Sequence, residues 1–250
     1  MHDLVELDWS FVETGRKQMR ETGACEIPGF IRPEALPAFV ADAQRLAPLA
    51  HPSGGLGTVY LGLPDESFPL DHPQQWLGDY SVRAVAYDLF PSESPTRRLY
   101  EWDELTRFIA AIMDLDLVYP YADPLGALNL AVMGDGDELQ WHFDQTDFVV
   151  SLALQSADRG GEFEVSPFIR EADDEHYDEV AHVLAGDRAT LVTQPMTPGT
   201  LLVFAGRYSL HRVAPIHGDT ARLVALFGYD TKPGTMSSDL LKAVRYGRTE

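Results

Sequence analysis

The chain has 250 residues and 45 % hydrophobic content, enough apolar material for one substantial core. Its 39 acidic against 19 basic residues give a formal net charge of −20, which repels phosphate backbones and anionic lipid and argues against nucleic-acid or membrane partners. The single cysteine, Cys25, excludes an internal disulfide and a paired-cysteine zinc site. The acidic start MHDLVELDWS has no apolar signal core and no run nears the roughly 18 apolar residues of a membrane helix, so a cytoplasmic protein is expected.

In chain order, DWSFVETGRKQMRETG carries Trp9, Val12 and Met19 on one side and stops at Gly23, which predicts a helix. A second helix is expected in IRPEALPAFVADAQRLAPLA, with Pro33 near its start and Leu36, Phe39, Val40 and Leu46 at helical spacing. Residues 51–80 are rich in Gly and Pro and read as irregular loop, followed by a strand in SVRAVAYDLF. EWDELTRFIAAIMDL predicts a helix with Leu105, Phe108, Ile109 and Ile112 on one face.

After Pro120 the texture changes to short apolar runs separated by Gly, Asp and Pro: GALNLAVM, ELQWHF, DFVVSLALQ, GEFEV, ATLVTQ, TLLVFA, SLHRV and RLVALFGYD. Short strands at this spacing predict a β-sandwich or barrel. An acidic helical insert at 171–187 interrupts them and reads either as a lid or as a surface crossover. One domain is expected over 1–250, with a helical support region and irregular loop at 1–119, a β-core at 120–232 and a C-terminal tail at 233–250.

The stretch LQWHFDQTDF sets His142 and Asp144 two apart, which on a strand points both side chains to one face. Such a pair alone is more readily a surface pair. A second histidine in a strand-like run, His211 in GRYSLHRVAP, gives the pair a partner. Two imidazoles and a carboxylate make the facial triad of non-haem Fe(II) oxygenases, leaving open positions on the metal. Arg222, eleven residues on in ARLVALFGYD, is a cation among apolar neighbours with no acidic residue on its strand before Asp230. A buried guanidinium takes a carboxylate bidentately; an internal ion pair or a snorkelling side chain is the alternative.

The WHFD motif, GGEFE at 160–164, PGTLLVFAGRYSLHRV at 198–213 and Arg222 together resemble Fe(II)- and 2-oxoglutarate-dependent dioxygenases over roughly residues 120–232. The resemblance implies a mainly β chain with a helical N-terminal layer, folded as a double-stranded β-helix, a cupin-like jelly-roll. It implies Fe(II) on His142, Asp144 and His211, and 2-oxoglutarate as co-substrate, its distal carboxylate held by Arg222. O2 and a small-molecule substrate are the remaining partners. Hydroxylation of an aliphatic C–H is the expected outcome; desaturation or ring closure would use the same residues. A cupin-like metal-binding or sensor protein without turnover is the reading from another class.

The helical first half and ADPLGALNLAVMGDGDELQWHFD are similar to a branch acting on free amino acids, which includes halogenases and lysine hydroxylases. In those halogenases a small residue replaces the triad carboxylate to admit chloride; Asp144 stands here, so halogenation is not expected. Val224 stands where the family often has a serine two residues after the arginine, leaving the second partner of the co-substrate carboxylate open.

Further candidates surround this set. Asn129 in GALNLAVM would bond the co-substrate or an iron-bound water, or make a structural hydrogen bond. Arg83 in SVRAVAYD is a candidate clamp for a substrate carboxylate or one half of a salt bridge. Asp123, Gln140, Thr146 and Asp147 would line the pocket, Asp123 or Asp147 holding an ammonium group, or serve as turn and surface residues. Trp141 and Phe143 alternate to the other face and read as core. With the acidic surface, this leads to the expectation of a small polar substrate such as an amino acid.

Overall fold

A computed structural model describes residues 1–250. The elements run α1 (Val12–Thr22), β1 (Ala24–Ile27), α2 (Leu36–Leu46), β2 (His51–Thr58), β3 (Leu77–Val85), α3 (Pro95–Tyr100), α4 (Asp103–Ile112), β4 (Tyr119–Pro120), β5 (Leu128–Met133), β6 (Leu139–His142), β7 (Val149–Gln155) and β8 (Arg159–Gly160). They continue with β9 (Phe163–Ser166), α5 (Tyr177–Leu184), β10 (Val192–Gln194), β11 (Leu201–Phe204), β12 (Leu210–Val213), β13 (Ile216–His217), β14 (Arg222–Phe227), β15 (Tyr229–Asp230) and α6 (Asp239–Tyr246).

Ten strands form one antiparallel path, β1-β11-β7-β14-β5-β3-β6-β12-β9-β10, with β2 added on β3. The path curls into the expected jelly-roll. Its first half, β1 to β5, is a broad sheet; its second half, β6 to β10, is a narrower one, and β3 pairs with both β5 and β6. Alternation sorts the broad sheet cleanly. Leu128, Leu130, Val150, Leu152, Leu201, Val203, Leu223 and Ala225 face outward into a cluster of 34 buried residues shared with the helices. The intervening residues, Asn129, Ser151, Arg222 and Val224 among them, face the interior between the sheets.

The helical layer explains itself locally. Gly23, at φ 67°, caps α1 in the left-handed region and turns the chain directly into β1. In α4, Leu105, Phe108, Ile109 and Ile112 are buried against the broad sheet, each stabilising by about 1.5–3 kcal/mol. Asp103 and Glu104 occupy its first turn, where the helix dipole favours them.

Several expectations need correction. The second helix begins at Leu36, with Pro37 rather than Pro33 in its first turn. The segment 51–80 is not all loop: β2 pairs with β3 from His51↔Ala84 to Thr58↔Leu77. Strand β3 starts four residues before SVRAVAYDLF and ends at Val85, where a 3-10 turn follows at Tyr87–Leu89. Strand β1 and the β2–β3 pair bring N-terminal residues into the main sheet. Residues 239–246, read as tail, form α6, capped by Ser238 and ended by Gly247 at φ 70°. The acidic insert is helical only over Tyr177–Leu184, and its Val180 and Val183 pack on Trp141, Phe143 and Leu210 outside the narrow sheet. It is a cover for that sheet rather than a lid.

Candidate metal centre and its surroundings

Strands β6 and β12 pair with His142 directly opposite His211, and the ring centroids lie 4.2 Å apart. Asp144 sits just past the end of β6, not on it, and its backbone N–H donates to Gly206 O at 3.0 Å. The carboxylate reaches back to both rings: Oδ2 is 3.5 Å from His211 Nε2, and Oδ1 is 4.0 Å from His142 Nε2. One donor atom from each of the three residues lies within 4.8 Å of the others.

Each imidazole is oriented by the main chain two residues before it. His142 Nδ1 lies 2.7 Å from Gln140 O, and His211 Nδ1 lies 2.9 Å from Ser209 O. A carbonyl only accepts, so both Nδ1 atoms carry a proton and both Nε2 atoms face Asp144. Burial, then the neighbouring His211, pushes the His142 pKa down to about 4 against the pull of Asp144. The ring is therefore neutral at pH 7, as a metal ligand must be. Phe204 and His211 meet edge to face with centroids 4.8 Å apart.

Gly206 is a site residue that the sequence reading missed. A Cβ placed there would overlap the Asp144 carboxylate, so the close approach of the 206 backbone requires glycine. The sequence signal is slight: one glycine in FAGR just before the SLHRV strand.

The donor set fits iron. Two neutral imidazole nitrogens and one carboxylate oxygen, with no thiolate, form the facial arrangement suited to non-haem Fe(II). Cis ligands at bonds of about 2.1 Å stand roughly 3 Å apart, and the three donor atoms here lie within 4.8 Å of one another, so they would draw together by up to about 1.8 Å on a metal.

Arg222, on the interior face of β14, is buried and joined to no acidic side chain. Burial lowers its pKa to about 10, so it remains charged at neutral pH. It lines a pocket of about 200 Å³ with Gly160, Gly161, Phe163 and Met196. Val224 follows it on the same face and offers no hydroxyl. Asn129 pairs across to Leu226 two rungs along, and Ser151 faces Leu226 from the other side. Both are buried polar side chains on the interior face.

The remaining candidates are not brought to this centre. Arg83 pairs with Val132, on the face opposite Asn129, and lies 3.9 Å from Asp137. Asp123 has both oxygens committed, Oδ1 to Leu125 N at 2.9 Å and Oδ2 to Ser237 N at 2.8 Å. Gln140 lies at a register shift in β6 and donates to Thr58 O at 3.2 Å. Thr146 is half-buried, and Asp147 pairs with Arg207 at 2.6 Å on the surface. No helix of the protein is long and apolar enough to cross a membrane.

Known proteins place this arrangement. The fold is similar to an oxidoreductase of the 2OG-Fe(II) oxygenase family from Burkholderia pseudomallei, with TM-score 0.58 and 17 % identity over 92 % of this chain and 95 % of that one. It is similar to AviO1 from Streptomyces viridochromogenes Tue57, with TM-score 0.61 and 20 % identity over 93 % and 99 %. It is also similar to the epimerase SnoN, solved in complex with Fe3+, alpha ketoglutarate and nogalamycin RO, with TM-score 0.58 and 16 % identity over 89 % and 84 %. No curated protein matches the chain by sequence. The family model for Halogenase D matches residues 83–242, which takes in the end of β3, every strand after it and the first half of α6. The chain belongs to the Halogenase D family and has the fold of the 2OG-Fe(II) oxygenases.

Proposed function

We propose that the chain is a non-haem Fe(II)- and 2-oxoglutarate-dependent oxygenase that hydroxylates an aliphatic C–H of a small polar substrate such as a free amino acid. The observation that carries this reading is the convergence of two main-chain-oriented Nε2 atoms and one carboxylate, with a buried, unpaired Arg222 on the same interior. His142, Asp144 and His211 would hold the metal, leaving the remaining positions to co-substrate and O2. Arg222 would receive the distal carboxylate of 2-oxoglutarate in a bidentate pair that offsets its own burial. Asn129 and Ser151 are the neutral donors on that face. Bound iron would let O2 act as the oxidant for C–H cleavage, one oxygen atom passing to the succinate formed as 2-oxoglutarate loses CO2 and the other to the substrate. The protein's part is to orient the rings, hold His142 neutral and keep the interior apolar through Phe163 and Phe204.

Two observations bear on alternatives. The family takes its name from a halogenase, but Asp144 occupies the third protein position here and Gly206 is shaped around it. Hydroxylation is therefore favoured over halide transfer. A metal-binding protein without turnover has no use for an unpaired interior arginine. Desaturation and ring closure would draw on the same residues.

Anaerobic addition of Fe(II) and 2-oxoglutarate tests the reading. The expected result is a visible charge-transfer band that His211→Ala abolishes. Absence of the band in the wild-type protein, at saturating metal and co-substrate, overturns it.

A further inference from the structure

The helix α6 is inside out. Its apolar residues Leu240, Leu241 and Val244 are exposed, whereas the face it turns to the protein carries Lys242, Arg245 and Tyr246 at the i, i+3, i+4 spacing of one helical side. An amphipathic helix laid on a core shows the reverse. A helix that buries cations is answering a charge requirement.

Its position says where. Tyr246 is buried against Ala84, Ala86 and Leu125. Ala84 pairs with Ala131, which shares the interior face of β5 with Asn129. Just before the helix, Ser237 N–H donates to Asp123 at the start of the β5 loop. The helix thus closes the open end of the jelly-roll, where Tyr121 packs on Gly228. Arg245 shares that inward side of the helix with Tyr246, whose ring packs beside the interior-facing Ala84.

Lys242 is buried and pairs with the exposed Asp239 at 3.1 Å. Arg245 is half-buried beside Tyr246 and pairs with no carboxylate. The acidic groups at this end are otherwise engaged: Asp123 by backbone N–H groups, Asp230 by Thr235 and Lys232 N.

We propose that Arg245, presented by the inward face of α6 at the open end of the barrel, binds the carboxylate of a free amino acid substrate. This rests on the oxygenase reading above and moves the carboxylate clamp from Arg83, which faces away, to the C-terminal helix. A single guanidinium fork matches one carboxylate. A net charge of −20 disfavours entry of more highly charged anions such as phosphates. Arg245 would therefore determine substrate choice at the end of the interior remote from Arg222.

The test uses the anaerobic complex with Fe(II) and 2-oxoglutarate, so that Arg222 is already occupied. Each of the twenty amino acids and each matching α-carboxamide is titrated in, and the shift of the charge-transfer band is read as binding. If the wild-type band never forms, the oxygenase reading fails, whatever α6 does. Where it forms, at least one free acid is expected to shift it and to bind at least tenfold more tightly than its amide. Arg245→Gln should weaken that acid at least tenfold and remove the preference over the amide, while Arg245→Lys should fall between. An unchanged thermal midpoint shows that the variant is folded; if the Gln variant is not, the Lys variant decides by the same preference. Equal binding of acid and amide to the wild type overturns the proposal. So does a preference that survives in the variants, or no response to any free amino acid.

Discussion

The two sheets of the jelly-roll are built to different standards. The broad sheet is backed by a cluster of 34 buried residues continuous with α1, α2 and α4, while the narrow one is backed by a cluster of six, completed by α5. Yet the two histidines of the candidate metal centre stand on the narrow sheet, on β6 and β12, and Asp144 follows β6. The broad sheet contributes Arg222 and Asn129. Stability and ligand placement are thus largely assigned to different halves. The site survives a thin backing because short-range main-chain bonds, not deep packing, fix the two imidazoles.

If that division holds, damage to the narrow sheet should strike metal binding, and damage to the broad sheet should strike folding. The largest expected effect is His142→Ala, which should reduce Fe(II) affinity at least a hundredfold by calorimetric titration while leaving the unfolding midpoint near wild type. Gly206→Ala comes next: its methyl would push the Asp144 carboxylate aside, with a loss of Fe(II) affinity of tenfold or more and little change in circular dichroism.

Two truncations, of three carbons and of two, compare the backings. Leu152→Ala, fully buried in the large cluster, should lower unfolding free energy by about 2–5 kcal/mol in urea. Val183→Ala on α5 removes two carbons and should cost about 1.5 kcal/mol. Equal costs would dissolve the distinction. Arg222→Lys keeps the charge and loses the fork, so KM for 2-oxoglutarate should rise about tenfold with the fold intact; an unchanged KM removes Arg222 from the co-substrate site.

The smallest effect concerns Cys25 behind the broad sheet. Burial pushes its thiol pKa up to about 12. The unfolded thiol ionises near 8.5 and the folded one does not, so its contribution is full below that value and declines as pH rises toward 12. Iodoacetamide should therefore label it at pH 8 only at the rate of unfolding, and rapid labelling of the native protein would contradict a tight layer there.

The same asymmetry governs what was legible in the sequence. Broad-sheet strands such as LNLAVM and RLVALF are nearly all apolar and read as buried strands, with Arg222 conspicuous among them. The triad was legible because histidines in strand-like runs are costly without a purpose. Strand β2, HPSGGLGT, was illegible: it pairs only with β3, and an edge strand tolerates proline and glycine that a central one does not. Helix α6 escaped because its apolar residues are the exposed ones. Arg83 misled for a geometric reason, since apolar neighbours on a strand do not reveal which face is interior. Its pairing with Val132 does.

The carbonyls behind His142 and His211 carry one more consequence. A side-chain acceptor behind a metal-bound imidazole is a dial that a point mutation can turn, from neutral amide to charged carboxylate. Gln140 O and Ser209 O have no such dial, because every amino acid at 140 or 209 supplies the same oxygen. The electron richness of both rings is therefore set by the turn of the backbone and insulated from drift at those positions. Whatever diversity of reaction this framework supports must be written elsewhere, in the walls that receive the substrate.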